Sequence, residues 1–376
     1  MKIICAPDSF KESMTAEQAA IAMRDGVLET AREAQVDLCP IADGGDGTVD
    51  AMLSATGGQP RVTQVAGPLG EAINAKWGVL GDGNTAIIEM AAASGMALLT
   101  AARRDPSRTT TYGTGELIRA ALDAGAKRIL VGIGGSATTD GGCGMAQALG
   151  VRFIDEGNRA IAQPMAGGLI QSVFDIDMSQ LDPRIADTEI IVACDVTNPL
   201  IGPNGAAHIY GPQKGADARM VLELDEALAH LADLIRGKLN MDVRDVLGSG
   251  AAGGLGAGLL AFTGATLQSG VDMVLDAVRF DERVASCDIC FTGEGRLDGQ
   301  SVSGKATIGV AQRAASHGVS TIALVGCVGP NVERTLDHGI SAYHVISDGV
   351  LLDEALRRGP ELMRRAAADA MAKLAF

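Results

Sequence analysis

The chain opens and closes in the same rhythm, and that rhythm admits few folds. Lys2–Ala6 reads as a short buried strand. Thr15–Arg32 has helical spacing, with Thr15 as its N-cap and Gln18 as the capping-box partner. "VDLCPIA" reads as a second strand and Thr48–Ala55 as a second helix. From Cys287 onward the alternation returns: strands at Cys287–Thr292, Ser320–Cys327 and Ala342–Ile346, helices at Lys305–Ser316, Val332–His338 and Leu351–Lys373. Strand and helix in alternation imply a parallel sheet covered by helices. The middle breaks the pattern. "NAKWGVLGDGNTAIIEMA" is two strand-like runs around a Gly-Asp-Gly-Asn turn, which predicts a hairpin. After it come a helix over Gly115–Ala124, a strand over Arg128–Ile133, a helix over Gly144–Leu149, and strands at Val151–Asp155 and Glu189–Ala193. A long amphipathic helix follows over Ala218–Lys238. The simplest assembly is an α/β fold in two domains. A parallel domain is built from both chain ends, residues 1–70 and 285–376, and a mixed α/β domain over 71–284 is inserted into it.

Composition narrows the function. A length of 376 residues suits two domains, and 47% hydrophobic content supplies their cores. Aromatic content is only 3% and the net charge is −15, so neither nucleic acid nor an anionic membrane finds a stacking or basic surface. No apolar run approaches a membrane span, and "MKIICAPDSF" is too short an apolar start for a signal peptide. Seven Cys lack framework spacing. Cys287 and Cys290 form a C-x-x-C, but an offset of three puts them on opposite faces of a strand. These features predict a reduced, cytoplasmic protein, and they are compatible with a homo-oligomer.

In parallel sheets, ligands bind beyond the carboxyl ends of the strands. Five strands here end in an acid, a cation or a Gly/Ser/Thr cradle: "PDSFKES" with Asp8, Ser9 and Lys11; "DGGDGT" with Asp43 and Asp46; "GGSATTDGGCG"; "CDVTNPLIGPNGAA" with Asp195; and "GEGRLDGQSVSGK". One Asp-Gly after a strand is most often a turn or a cap. Five together predict a functional cleft. In "GIGGSATTDGGCG", successive amides of Gly134, Gly135, Ser136, Ala137, Thr138 and Thr139, with the Ser and Thr hydroxyls, suit a wide anion nest, and Asp140 suits the N-cap of the next helix. Gly132-x-Gly134-x-x-Ala137 also fits a dinucleotide fingerprint, with Asp155 near the ribose position. A dinucleotide-dependent hydroxy-acid oxidoreductase is therefore the rival reading. Against it, a polar Gly-rich run follows where the helix should open. A sugar-acid sensor acting on DNA would need a basic helix-turn-helix pattern, and none is found.

Gly299 to Lys305 reproduces most of the phosphate loop G-x-x-x-x-G-K-[ST]. Ala306 stands where a hydroxyl should hold Mg²⁺, and the preceding strand ends too early. A helix N-terminus attracts anions without a Walker fold. Arg296 adds a planar charged fork, Asp298 a metal ligand or base, and Lys305 a cation where only a nearby anion would favour one.

"APDSFKESM", "ADGGDGT", "GIGGSATTDGG", "ACDVTNPLIGPNGAA", "GPQKGA" and "FTGEGRLDGQSVSGKA" together resemble, in order and over essentially the whole chain, the bacterial glycerate kinases that make 2-phosphoglycerate from D-glycerate and ATP. The resemblance implies a Rossmann-like domain from both chain ends, an inserted second domain, and no P-loop fold. Residue roles follow from the chemistry of phosphoryl transfer, which is mostly positioning and charge stabilisation. The Gly134–Thr139 loop would cradle ATP. Asp8, Ser9, Lys11, Arg296 and Lys305 would bind glycerate, with Lys11 and Arg296 also neutralising the transferred group. Asp195 is the expected base, Asp298 its alternative, and Asp46 and Asp298 the expected Mg²⁺ ligands. The five His lie outside the richest loops. The active site is expected in the cleft between the domains, and 3-phosphoglycerate is the alternative product.

Overall fold

The structure is a computed structural model and describes residues 1–45, 47–302 and 305–374. It divides into two compact units, Met1–Asp43 with Asp50–Gly58 and Val271–Phe376, and Gly44–Val49 with Gln59–Gly270.

The first unit is built on five strands, all parallel to their neighbours: Lys2–Pro7, Gln35–Leu38, Ile289–Gly293, Ser320–Val325 and Ile340–Val345. Numbered along the chain, their order across the sheet is 2-1-3-4-5, a doubly wound arrangement that reverses direction between the first and third strands. Side chains alternate between two faces. Ile322 and Leu324 join Ile3, Cys5 and Phe291 in one cluster, while Ala323 and Val325 join Leu297, Ile308 and Ile340 in the other. The first cluster is closed by the helix Ala16–Thr30 and the helix Gly359–Leu374. These two approach so closely that a Cβ at Gly26 would lie 2.0 Å from the Arg364 carbonyl oxygen. The expected capping box is present at Ala16–Thr30: Thr15 Oγ1 accepts from the Gln18 amide, and Gln18 Oε1 accepts from the Thr15 amide. The expected terminal helix is two, Leu352–Arg357 and Gly359–Leu374.

The second unit carries a six-stranded mixed sheet. Thr266–Gln268, Glu189–Ala193, Arg128–Gly132 and Thr85–Glu89 run parallel. Ala72–Val79 and Gln59–Ala66 continue the sheet antiparallel. Ala72–Val79 and Thr85–Glu89 are the expected hairpin. Asp82 fixes its turn by accepting from the Asn84 and Thr85 amides and the Thr85 hydroxyl. Gln59–Ala66 pairs along its whole length with Ala72–Val79, so the chain joins this sheet at residue 59, ahead of residue 70. The return to the first unit falls at 271, ahead of 285. The helix Tyr112–Asp123 closes one core against Trp77, Ile88 and Val131. The helix Ala218–Leu239 buries Leu224, Leu228 and Leu231 in a second core with Phe153 and Phe262, whose rings meet edge to face.

Candidate functional site

In the first unit the sheet itself assembles a polar edge. Pro7 is in register with Gly293, and the Asp8 amide donates to the Gly293 carbonyl at 2.9 Å. Asp8 and Glu294 are thus the first residues beyond the two central strands, at the point where the sheet reverses its winding. On the other side of Lys2–Pro7, the Ile41 amide donates to the Pro7 carbonyl, which carries the chain on to Asp43. Gly295 is the residue that lets the two central loops run side by side, for its absent Cβ would sit 3.9 Å from Phe10 Cα and 4.0 Å from the Lys11 amide nitrogen. Lys11 is exposed on the tight turn that Phe10 and Met14 close. Ser9 donates its amide to Asp8 Oδ1 at 2.6 Å. Burial, with the Asp43 and Glu294 carboxylates nearby, pushes the Asp8 carboxyl up to about 7. The proposed substrate-side group Asp8, Ser9, Lys11 and Arg296 is therefore gathered at one sheet edge.

Lys305 and Asp298 differ from expectation. Lys305 Nζ donates to Glu294 Oε2 at 2.9 Å and to the Arg296 carbonyl at 3.1 Å. Its charge is spent on a buried carboxylate rather than extended from the helix Ala306–Ser316 toward a ligand. Asp298 accepts from Arg296 Nε and from the Gln300 amide, and its own amide is held by Ser301 Oγ. Partial burial raises the Asp298 carboxyl, but the Gln300 amide and the Lys305 and Arg296 charges outweigh it and hold it below the usual range. A carboxylate so committed is a turn-forming anion and a poor base. Among the described residues no group of three or more His, Cys, Asp or Glu is arranged to hold a metal ion. Asp46, with Ser303 and Gly304 of the Walker-like stretch, lies outside the described residues.

In the second unit the expected anion nest is mostly interior. Gly134 and Gly135 are exposed, but Ser136, Ala137, Thr138 and Thr139 are buried, the two Thr completely. The Ala137 amide donates to the Ser94 carbonyl and the Ala137 carbonyl accepts from Thr109 Oγ1. The Thr138 and Thr139 hydroxyls are buried without a partner among the described residues. The hydroxyls therefore do not line an open cradle, and the surface left for an anion is the Gly134–Gly135 backbone. The helix that follows, Cys143–Ala148, is capped by Gly142. Asp140 braces this region in another way. Its carboxylate accepts from the Thr111 amide and hydroxyl and from the Gly142 and Gly144 amides. Burial still pushes it above the usual carboxylate range.

Behind the loop stands a residue the sequence reading passed over. Lys214 is 1% exposed and its ammonium donates to the Thr138 carbonyl at 2.6 Å. Burial pushes it down to about 7, with the Asp140 charge opposing. The segment Ala251–Thr263 closes the other side. Ala252, Gly253 and Gly254 are all left-handed, and a Cβ at Gly253 would lie 1.9 Å from the Thr138 carbonyl oxygen. Around the same sheet edge, a Cβ at Gly132 would meet the Gly44 carbonyl oxygen at 2.7 Å, and one at Gly134 would meet Gly45 Cα at 3.7 Å. Glu89 Oε1 accepts from the Val49 amide. Asp195 is exposed beyond Glu189–Ala193 and accepts from the Gly270 amide at 2.9 Å, at the start of the helix Gly270–Ala277. Asp155, the ribose ligand of the oxidoreductase reading, instead closes a turn with Arg159, accepting its backbone amide and its guanidinium.

The carboxyl-end edge of a doubly wound sheet, at its winding reversal, is where such a sheet binds a ligand, and the comparisons say what class of protein this is. The Glycerate kinase family matches residues 3–375, and the chain belongs to that family, a family of phosphotransferases. It is 50% identical to glycerate 2-kinase of Escherichia coli strain K12 over 377 residues, covering 100% of this chain and 98% of the relative. Glycerate kinase of Bacillus subtilis strain 168 is 48% identical over 375 residues, again 100% of this chain and 98% of the relative. A solved structure of a protein from Salmonella typhimurium LT2 superposes with a TM-score of 0.92 at 46% identity, covering 100% of this chain and 98% of that one. Among the described residues no helix is long and apolar enough to cross a membrane.

Proposed function

We propose that this glycerate kinase transfers the γ-phosphoryl group of ATP to the 2-hydroxyl of D-glycerate, giving 2-phosphoglycerate and ADP in the cytoplasm. The observation that carries the reading is the polar edge at the winding reversal of the first unit, where Lys11 and Arg296 stand exposed beside Asp8 and Ser9. Two exposed cations suit a small carboxylate substrate, and Arg offers it a bidentate fork. The printed name of the Escherichia coli relative, glycerate 2-kinase, supports the choice of hydroxyl. On the second unit, the exposed Gly134–Gly135 backbone is the surface proposed for the ATP phosphates, with Ser136 to Thr139 as its buried frame. Mg²⁺ is proposed to enter with the nucleotide, which is how this ion meets kinases, and to supply charge neutralisation on the phosphates.

The test is ADP release with ATP and Mg²⁺, run with D-glycerate, with L-glycerate and with neither. ADP release that depends on D-glycerate supports the reading. Equal release without any acid refutes it, and reduction of a nicotinamide cofactor by glycerate would favour the oxidoreductase instead.

A further inference from the structure

We propose that Asp8 takes the proton from the attacking hydroxyl of the substrate, with Glu294 facing it from the equivalent place on the neighbouring strand. The inference rests on the kinase reading above and adds its proton acceptor, a role the sequence had given to Asp195.

Asp8 and Glu294 occupy equivalent places on neighbouring strands. They follow Pro7 and Gly293, which are in register, at the winding reversal where a sheet of this order binds its ligand. The two carboxylates are differently provided for. Glu294 is 7% exposed, with Oε2 held by Lys305 and Oε1 buried without a partner among the described residues. Burial raises its carboxyl and Lys305 opposes the rise. Asp8 has the Ser9 amide on Oδ1 and no paired cation among the described residues. The charged groups that face it are Asp43, beyond the strand Gln35–Leu38, and Glu294, with Lys305 behind Glu294. Lys11 and Arg296 are exposed on the two flanking loops. An aspartate lifted to about 7 by burial and like charge holds a proton near the operating pH, the condition in which a general base works best. Asp298, which accepts the Gln300 amide and the Arg296 guanidinium, is instead held below the usual carboxylate range.

The step balances without another reactant. The substrate O–H bond breaks and its proton passes to an Asp8 oxygen. The freed oxygen pair bonds to the γ-phosphorus, the bond from that phosphorus to the β–γ bridging oxygen breaks, and ADP leaves. Asp8 then gives its proton to water.

The experiment is the pH dependence of single-turnover phosphoryl transfer in the full chain, for the parent, Asp8→Asn, Glu294→Gln and Asp195→Asn. The parent, if it releases ADP on D-glycerate at all, secures the kinase reading separately. Its rate should fall below an apparent pKa near 7. Asp8→Asn should lower the rate by roughly two to four powers of ten and abolish that limb. Glu294→Gln removes a facing negative charge and should keep a measurable rate while moving the limb to lower pH. Asp195→Asn should leave the limb where it is. The proposal is overturned if Asp8→Asn stays within about threefold of the parent, or if the limb disappears in Asp195→Asn. Should Asp8→Asn fail to fold, an unmoved limb in Glu294→Gln overturns it equally.

Discussion

Replacing Asp8 by Asn should make the protein more stable above neutral pH, although it removes the group assigned to proton transfer. The change keeps shape and keeps an oxygen to accept the Ser9 amide. What it removes is a charge in an unfavourable place. The folded-state carboxyl stands at about 7, against an ordinary value of 3.8. A carboxyl raised on folding binds its proton more tightly in the native than in the unfolded chain, so native stability falls as pH rises between these two values. Below 3.8 both states are protonated and the aspartate costs nothing; above 7 the full cost applies. That cost has a ceiling of ~4 kcal/mol. The assay is urea unfolding of parent and variant at matched pH from 4 to 8, reading the difference in stability at each pH. The variant's advantage should grow from near zero to its full value by about pH 7 and then stay level. A difference that is constant across the range would refute the reasoning, because it would show that Asp8 titrates alike in both states.

Three further outcomes follow from the same geometry. Gly253→Ala sets a Cβ 1.9 Å from the Thr138 carbonyl at φ +71, so it should cost at least ~2 kcal/mol in unfolding experiments, whereas Gly237→Ala, whose Cβ meets nothing within 4 Å, should be neutral or stabilising by up to ~1 kcal/mol. Lys214→Met leaves the buried Thr138 carbonyl without its ammonium donor. It should raise the KM for ATP several-fold more than that for D-glycerate, and equal effects on both would refute a phosphate role for the loop. Asp298→Asn should leave the Mg²⁺ concentration for half-activation unchanged within about twofold, since Asp298 is committed to its own turn; a tenfold rise would restore it as a metal ligand.

Much of the fold could be read from local signals. The strand Glu189–Ala193 and the capping box at Thr15 lie where apolar runs and cap chemistry put them. Gln59–Ala66 was not visible, because every residue from Gln59 to Val62 is exposed and the strand gains its identity only by pairing with Ala72–Val79. The site divides the same way. Residues just past strands could be picked out, which is how Asp8, Lys11 and Arg296 were found. Burial could not. Thr138 and Thr139 look like ligand hydroxyls in sequence and are interior. Lys214, in "GPQKGA", looks like a solvated lysine and is among the most buried side chains described. Glu294 directly follows its strand in "FTGEGR" and was passed over for the louder Walker-like stretch beyond it. Its pairing with Lys305 is what disposes of that likeness, since the lysine that should reach a phosphate is held by a glutamate eleven residues earlier.

The central claim is the reaction itself, and phosphorus NMR of the reaction mixture tests it most directly. Purified protein is incubated with ATP, Mg²⁺ and D-glycerate, and the spectrum is compared with authentic 2-phosphoglycerate and 3-phosphoglycerate added in turn. The account predicts one new phosphomonoester signal that coincides with 2-phosphoglycerate and grows as the γ-phosphate signal of ATP declines. A signal that coincides with 3-phosphoglycerate would contradict the assigned hydroxyl, and inorganic phosphate alone would contradict the transfer to glycerate.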